Sequence, residues 1–150
     1  MQETPLSFIF RPASFADFEL VTNLLAKSNL PREKIEEQFN NFLLLFDAQS
    51  NLLACAGLEI YGSEGLLRSV AVEKHQNKGL GSLLVKRIED QAKLQHLREI
   101  YLLTETAEDF FSKHRYRVIS RDNVPHSIQN SFEYSSSCKI SARVMKKSLL

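Results

Sequence analysis

The fold is decided by one stretch of the chain, residues 66–91, which read LLRSVAVEKHQNKGLGSLLVKRIEDQ. A short apolar run over residues 66–72 ends in a polar turn, and apolar residues at helical spacing follow Gly79 and Gly81. This pattern predicts a strand, a loop and a helix whose first turn holds two glycines. Because each glycine costs about 1 kcal/mol relative to alanine inside a helix, helix propensity does not explain the pair.

The two glycines leave backbone N–H groups uncovered at the positive end of the helix, where an anion can approach closely. The segment therefore predicts a phosphate or pyrophosphate site. It differs from the nucleoside-triphosphate loop, since Gly81 is followed by Ser82 and Leu83, and it lacks the three-glycine spacing of the dinucleotide fingerprint. An ordinary strand-to-helix turn, with one glycine for the turn and one for close packing, explains the hexapeptide 76–81 equally well.

Composition bounds the class of protein. A chain of 150 residues with a net charge of +1 and a pI near 7.8 predicts a single domain over residues 1–150 with its own core. The balanced charge provides no field that attracts nucleic acid or a membrane surface, so neither is expected as a partner. The N-terminus lacks the features of a signal peptide, and no apolar run has the length of a membrane span, so we expect a cytoplasmic protein.

Cysteine and histidine usage argues against disulfides and metals. Cys55 and Cys138 have no paired spacing, and the four histidines show no metal-ligand spacing. We therefore expect no disulfide framework and no metal.

Hydrophobic periodicity predicts alternating elements along the whole chain. The predicted strands cover residues 7–11, 42–46, 52–61, 66–72, 99–104, 116–120 and 139–146. The predicted helices cover residues 15–27 with Ser14 as the cap, 31–39, the stretch that begins at Gly79, and 107–114. This order predicts a mixed α/β sheet flanked by helices.

Two motifs, in the right order, resemble those of the GNAT superfamily of N-acetyltransferases. Val70-Ala71-Val72 followed by Gln76-x-x-Gly79-x-Gly81 is similar to the family's acetyl-coenzyme A motif. The strand at 99–104 followed by residues 107–116 (AEDFFSKHRY) is similar to its last characteristic helix, usually written as Ala, then Phe-Tyr, then Gly-Phe. The resemblance covers about residues 6–148. It implies the GNAT fold, a mixed central sheet of about seven strands flanked by helices, in which two parallel strands splay apart to form the cofactor cleft.

The resemblance also implies how acetyl-coenzyme A is bound as the acyl donor. The edge of the strand at residues 70–72 pairs with the pantetheine arm as an added half-strand, and the glycine loop holds the pyrophosphate. The helix at 107–114 flanks the thiol end of the cofactor. The residues expected to bind it are Val70, Ala71, Val72, Gln76, Asn77, Lys78, Gly79, Leu80, Gly81, Ser82, Phe110 and Phe111.

This chain departs from the family at the position of the usual proton donor. Many relatives use the tyrosine of the Phe-Tyr pair to protonate the leaving thiolate, whereas this chain has Phe111. Tyr116 is the predicted donor, with Tyr101, Tyr134 and Cys138 as alternatives, unless the thiolate leaves unaided. The glycine of the Gly-Phe pair is also replaced, by Arg115.

Carboxylates near the motif strands are candidate bases for the attacking amine. Glu59 lies on the preceding strand and Glu105 follows the strand at 99–104, although for each residue taken alone the sequence favours a solvated surface carboxylate over a base. Arg68 interrupts an apolar strand and needs a partner. An ion pair with Glu59 is one explanation, and a bidentate grip on a substrate carboxylate is the other.

This chain resembles one branch of the family more closely than the family as a whole. Residues 67–72 (LRSVAV), 101–104 (YLLT), 121–125 (RDNVP) and 132–134 (FEY) resemble N-acetylglutamate synthases and, more closely, the small N-acetyltransferases of arsenic-resistance operons. Residues 135–139 (SSSCK) replace an Arg- and Lys-rich segment of the glutamate enzymes. We therefore expect Ser136, Ser137 and Cys138 to line a pocket for a less acidic substrate, or else to be loop.

The resemblance implies an acetyl-coenzyme A-dependent N-acetyltransferase that acts on a small, amino-acid-like amine by direct attack. Two alternatives stay open: a coenzyme A-binding module without catalysis, and an enzyme that acetylates a protein or peptide. The expected partner is a small-molecule amine, and a homodimer stays open as the assembly.

Overall fold

The computed structural model describes residues 8–73, 79–131, 134 and 142–150. The strands are β1 (Ile9–Pro12), β2 (Phe42–Phe46), β3 (Leu52–Tyr61), β4 (Glu64–Val72), β5 (Glu99–Thr104), β6 (Arg117–Ile119) and β7 (Arg143–Ser148). The α-helices are α1 (Phe18–Lys27), α2 (Leu80–Leu94), α3 (Glu108–Lys113) and α4 (His126–Gln129). Short 3-10 helices cover Phe15–Asp17, Ile35–Asn41 and Arg121–Asn123.

The strands form one seven-stranded sheet in the order β1-β2-β3-β4-β5-β7-β6. Strands β4 and β5 run parallel, whereas β1–β2, β2–β3, β5–β7 and β6–β7 are antiparallel pairs. The registered β4–β5 pairs run from Glu64 and Glu99 to Leu66 and Tyr101, although β4 continues to Val72 and β5 to Thr104. The predicted mixed α/β fold is confirmed.

Contacts divide the chain into two compact units. One comprises residues up to 57 together with 69–88, and the other comprises 58–68 together with 89–150. The core of the first unit is built by α1, the 3-10 helix Ile35–Asn41 and β2, with Cys55 of β3 and Ala71 of β4. The core of the second unit gathers Leu66, Tyr101, Val124, Ile128 and Val144.

In the first unit a buried carboxylate fixes the entry to α1. The Asp17 carboxylate accepts two hydrogen bonds from the Arg11 guanidinium, at 2.8 and 2.9 Å, and a third from the Ser14 backbone N–H at 2.8 Å. Ser14 is the N-cap residue of the 3-10 helix Phe15–Asp17 and forms a capping box with Asp17. Its hydroxyl also lies 3.2 Å from the Asp17 carboxylate. The predicted cap at Ser14 is therefore confirmed, and Asp17 completes it.

Three helices end in the same left-handed turn, and none of the turns uses glycine. Asn29 (φ +58°), His96 (φ +66°) and Arg115 (φ +73°) follow α1, α2 and α3. After α3, the Tyr116 N–H donates to the Phe111 carbonyl and the Arg115 N–H to the Ser112 carbonyl, which is the Schellman arrangement. Arg115 thus occupies the position that most favours glycine, the residue that the family motif has there.

The predicted helix at 31–39 is wrong in its bounds and type. The chain forms a 3-10 helix over Ile35–Asn41, because Lys34 before it adopts a left-handed conformation (φ +62°) that an α-helix does not continue through.

None of the helices in the described part of the chain is long and apolar enough to cross a lipid bilayer.

Candidate active site

Strand β4 contains a left-handed residue in its middle. Ser69 has φ +60° and is buried. A non-glycine residue in this region is uncommon and strained, at a cost of about 1–3 kcal/mol. The strand therefore kinks immediately before Val70, Ala71 and Val72, the residues expected to pair with a ligand.

After this kink, the direction of the backbone groups is set by hydrogen bonds within the first unit. The Glu73 N–H donates to the Leu53 carbonyl on β3 at 2.8 Å, so Ala71, two residues earlier in the strand, also directs its backbone groups towards β3. Because successive strand residues point in opposite directions, the backbone groups of Val70 and Val72 point away from β3. These two residues, rather than Ala71, present the backbone edge with which an extended ligand can pair.

The residue immediately before helix α2 is Gly79, whose backbone conformation favours glycine. Gly79 has φ +79° and is exposed, and its carbonyl accepts the Leu83 N–H at 3.1 Å as the first helical bond. A Cβ built on Gly79 meets no atom of the described residues within 4 Å, so this part of the chain does not fill the space next to the Gly79 backbone. Of the other expected contacts here, Gly81 and Ser82 are half-buried and Leu80 is buried, while Gln76, Asn77 and Lys78 lie outside the described residues.

In the second unit, Arg68 and Glu59 form a buried ion pair. The Arg68 Nη1 lies 3.0 Å from the Glu59 Oε2, with side chains 1% and 6% exposed. The Tyr61 hydroxyl donates to the other carboxylate oxygen of Glu59 at 2.5 Å. Of the two explanations of Arg68, the ion pair is present in the structure. A buried pair of this kind is costly to break from one side, since it leaves an unpaired charge.

The predicted proton donor Tyr116 is held by a buried carboxylate. Its hydroxyl donates to the Glu89 Oε2 at 2.9 Å, and the Lys147 ammonium lies 2.9 Å from the Glu89 Oε1. Burial, and then the negative charge of Glu89, raise the pKa of Tyr116 well above its usual value. A phenol with a raised pKa gives up its proton less readily, so this geometry disfavours Tyr116 as a general acid.

Phe110 and Phe111 have different environments on α3. Phe111 is buried and packs edge-on against Tyr116 at 5.6 Å between ring centroids, whereas Phe110 is half-buried and contacts Phe111 and His114 at 4.9 Å. Phe111 is thus a core residue, and Phe110 is the more accessible of the two. Glu105 is exposed after β5.

A family model for acetyltransferases of the GNAT family matches residues 13–118, which include β4, the start of α2 and α3. The chain belongs to the GNAT acetyltransferase family. The match places the kinked strand and the glycine at the start of α2 within the region shared by this family.

Among curated relatives, the amino-acid acetyltransferase of Pasteurella multocida (strain Pm70) is 23% identical over 112 residues, which are 73% of this chain and 25% of that protein. This GNAT chain therefore spans about a quarter of the length of that relative. Among solved structures, N-acetylglutamate synthase from Neisseria gonorrhoeae, complexed with coenzyme A and N-acetyl-glutamate, is similar with a TM-score of 0.83 and 21% identity. The likeness covers 99% of this chain and 36% of that one.

A second solved structure has a length close to that of this chain. Rv2747 from Mycobacterium tuberculosis, in complex with CoA, is similar with a TM-score of 0.79 and 20% identity, covering 95% of this chain and 99% of that one. These likenesses support the same GNAT fold.

The structure groups the expected residues of this GNAT protein by unit. Val70, Ala71, Val72 and the start of α2 belong to the first unit, whereas Glu59, Arg68, Glu105, Phe110, Phe111 and Tyr116 belong to the second. Ser136, Ser137 and Cys138 lie outside the described residues. Within the described part of the chain, no group of three or more His, Cys, Asp or Glu side chains is arranged to hold a metal ion.

Sequence reasoning missed the groups that organise this region. Ser69 carries no pattern that predicts a positive φ, and Cys55 reads as an ordinary apolar residue of β3. Glu89 reads as a polar residue of an amphipathic helix, although it is buried. For Tyr61 the sequence does contain a signal. It lies two residues after Glu59, and side chains at i and i+2 share one face of a strand, so a contact between the two could have been predicted.

Proposed function

We propose that this protein transfers an acetyl group from acetyl-coenzyme A to the amine of a small, amino-acid-like substrate. The observation that carries the proposal is the connection from β4 to α2 in the first unit. There the backbone edge of Val70 and Val72 is directed away from β3, and Gly79 opens α2 with a positive φ and no atom of the described residues beside it. An extended amide chain that ends in a pyrophosphate matches a strand edge followed by a helix N-terminus.

The proposed chemistry needs few groups. The neutral amine attacks the carbonyl carbon of the thioester, negative charge builds on the carbonyl oxygen, and a backbone N–H stabilises it. The carbon–sulfur bond then breaks, and the electron pair leaves with the thiolate. The amine loses its proton to a carboxylate, for which we propose Glu105 before Glu59, because Glu105 is exposed whereas Glu59 is buried against Arg68 and Tyr61.

The proton that the leaving thiolate takes up has a different source from that of most relatives. Phe111 replaces the usual tyrosine, and Tyr116 is held by Glu89. The conjugate thiol has a pKa of about 8–9, so the thiolate is a competent leaving group near neutral pH. We propose that water protonates it, with Tyr116 as the alternative.

The amino-acid-like character of the substrate rests on the relatives, which include amino-acid acetyltransferases and a structure that contains N-acetyl-glutamate. We propose that Ser136, Ser137 and Cys138, in place of a cationic segment, accept a side chain less acidic than that of glutamate. Arg68 has two candidate roles: binding the substrate carboxylate, or forming a structural ion pair with Glu59. The burial of Arg68 against Glu59 favours the structural role.

A thiol-release assay tests the proposal. The panel should hold free amino acids, their decarboxylated amines and short peptides, with acetyl-coenzyme A as the donor. We expect amine-dependent release of coenzyme A and an acetylated product by mass spectrometry, with free amino acids as the best acceptors. Binding of coenzyme A without release on any amine would instead favour the binding module, and turnover of peptides alone would favour the protein acetyltransferase.

A pair of variants on α2 tests the cofactor part separately. Gly81→Val places a branched side chain at the proposed approach of the pyrophosphate and should abolish binding of coenzyme A in a folded protein. Leu83→Val is the matched control, because it introduces the same residue at an exposed position two residues later on α2. Calorimetry showing equal affinities for both variants would contradict the assignment.

A further inference from the structure

We propose that Cys55 is a positioning residue for the donor site: its side chain holds the left-handed turn of β4 at Ser69 and thereby directs the backbone of Val70 and Val72. The inference rests on the proposed function, because it concerns the strand edge assigned to the pantetheine arm. It assigns a role to a fully buried side chain of β3 that no step of the acetyl transfer uses.

The first support is geometric. The Cys55 sulfur donates to the Ser69 carbonyl at 3.3 Å. One side chain on β3 therefore engages the backbone of the left-handed residue itself, immediately before Val70. A thiol is suited to this arrangement, since its S–H is a weak donor.

The second support is the strain at Ser69. A serine at φ +60° persists only when its surroundings hold it there. The chain provides no glycine at this position to relieve the strain. The hydrogen bond from Cys55 to the carbonyl of Ser69 opposes relaxation of the strand to an ordinary extended conformation.

The third support is the protonation state of the thiol. Complete burial raises the pKa of Cys55 to about 12. The S–H proton is therefore retained near neutral pH, where it can be donated to the Ser69 carbonyl. The same burial makes Cys55 unreactive as a nucleophile, so its side chain acts through its contacts.

The experiment compares three variants by calorimetric binding of coenzyme A, with urea unfolding measured in parallel. Cys55→Ala removes the hydrogen bond to Ser69 and should weaken binding about fivefold, the usual consequence of losing one net hydrogen bond. Cys55→Ser keeps a donor and an acceptor and should bind within twofold of the unsubstituted protein. Leu45→Val, a change at a fully buried residue of β2, should lower stability without changing affinity.

A second background makes the test specific to the turn. Glycine adopts a positive φ without strain, so in Ser69→Gly the turn no longer depends on Cys55. In that background Cys55→Ala should change the affinity for coenzyme A less than twofold. An affinity unchanged by Cys55→Ala alone, or a loss of equal size in both backgrounds, would overturn the inference and leave Cys55 as packing.

The same measurements separate this inference from the proposed function. If the unsubstituted protein binds no coenzyme A, the proposed function fails and the inference fails with it. If it binds coenzyme A but Cys55→Ser loses as much affinity as Cys55→Ala, only the inference fails.

Discussion

The buried carboxylate at the start of α1 makes the stability of this protein depend on pH in a way that can be worked out in advance. The hydrogen bonds from Arg11, and then that from the Ser14 backbone, lower the pKa of Asp17 from 3.8 to about 2, against an opposing effect of burial. At about 1.4 kcal/mol for each pKa unit, this lowering contributes about 2–3 kcal/mol of folding free energy near neutral pH. Because the Arg11 side chain is 43% exposed, solvent screening reduces the expected value to about 2 kcal/mol.

The pH range in which Asp17 stabilises the fold follows from the direction in which folding changes its pKa. A carboxyl group with a lower pKa in the folded state binds fewer protons when folded, so it stabilises the fold above the unfolded pKa near 4. The contribution falls to about half at pH 3 and is nearly lost at pH 2. Asp17→Asn keeps the shape of the side chain but removes the charge, so its deficit in stability should show the same dependence.

Urea unfolding at pH 7 and pH 3 measures this difference directly. Asp17→Asn should be about 2 kcal/mol less stable than the unsubstituted protein at pH 7, and about 1 kcal/mol less stable at pH 3. Asp122→Asn, at an exposed position, is the control and should change stability by less than 0.5 kcal/mol at both values. A deficit for Asp17→Asn that is equal at pH 7 and pH 3 would refute the assignment of the stabilisation to its charge.

Four further changes test other parts of the structure. Gly79→Ala should weaken coenzyme A binding about five- to thirtyfold by calorimetry, because a residue with a Cβ resists the left-handed conformation at a cost of about 1–2 kcal/mol; unchanged affinity would exclude Gly79 from the site. Arg115→Gly should raise the free energy of unfolding by about 0.5–1 kcal/mol, because glycine takes φ +73° without strain; no gain in urea unfolding would show that the turn is unstrained. Tyr116→Phe should lower that free energy by about 1–2 kcal/mol, since Glu89 loses a donor, and should change kcat less than tenfold. A loss of about 10²–10⁴-fold in kcat would identify Tyr116 as the acid. Arg68→Ala should lower the free energy of unfolding by about 3–5 kcal/mol, and should raise KM equally for an amino acid and for its decarboxylated amine. A rise in KM for the amino acid alone would assign Arg68 to the substrate carboxylate.

Local pattern was sufficient for most elements of the sheet. The predicted bounds of β2, β3 and β5 agree with the structure residue for residue, because each is an apolar run between turn-forming or charged residues. The glycine motif also predicted where α2 begins and which family the chain belongs to. The bounds of these strands and the start of α2 depend on residues that are neighbours in sequence, so they can be predicted from the sequence alone.

Local pattern was insufficient where backbone conformation or a distant partner decides the outcome. The stretch after Pro31 has apolar residues at helical spacing, yet Lys34 is left-handed and the helix that follows is of the 3-10 type. At the start of α1 the predicted cap Ser14 is in place, but the sequence does not show that Asp17, which completes the capping box, also pairs with Arg11 on β1. That partner lies on another element, and spacing along the helix does not reveal it.

The sequence by itself determined the class of fold and the strand–loop–helix segment proposed to bind the donor, because these follow from periodicity and from glycines at fixed spacing. The resemblance of two motifs to those of known acetyltransferases indicated the family. Only the tertiary structure decided which groups of that segment are available to a ligand. The left-handed turn at Ser69, its hydrogen bond to Cys55 and the direction of the Ala71 N–H all depend on β3 lying beside β4. The pairing of Arg68 with Glu59 depends on the same two strands. Backbone strain and buried charge persist only where residues far apart in the chain hold them in place, so they become visible only when the chain is folded.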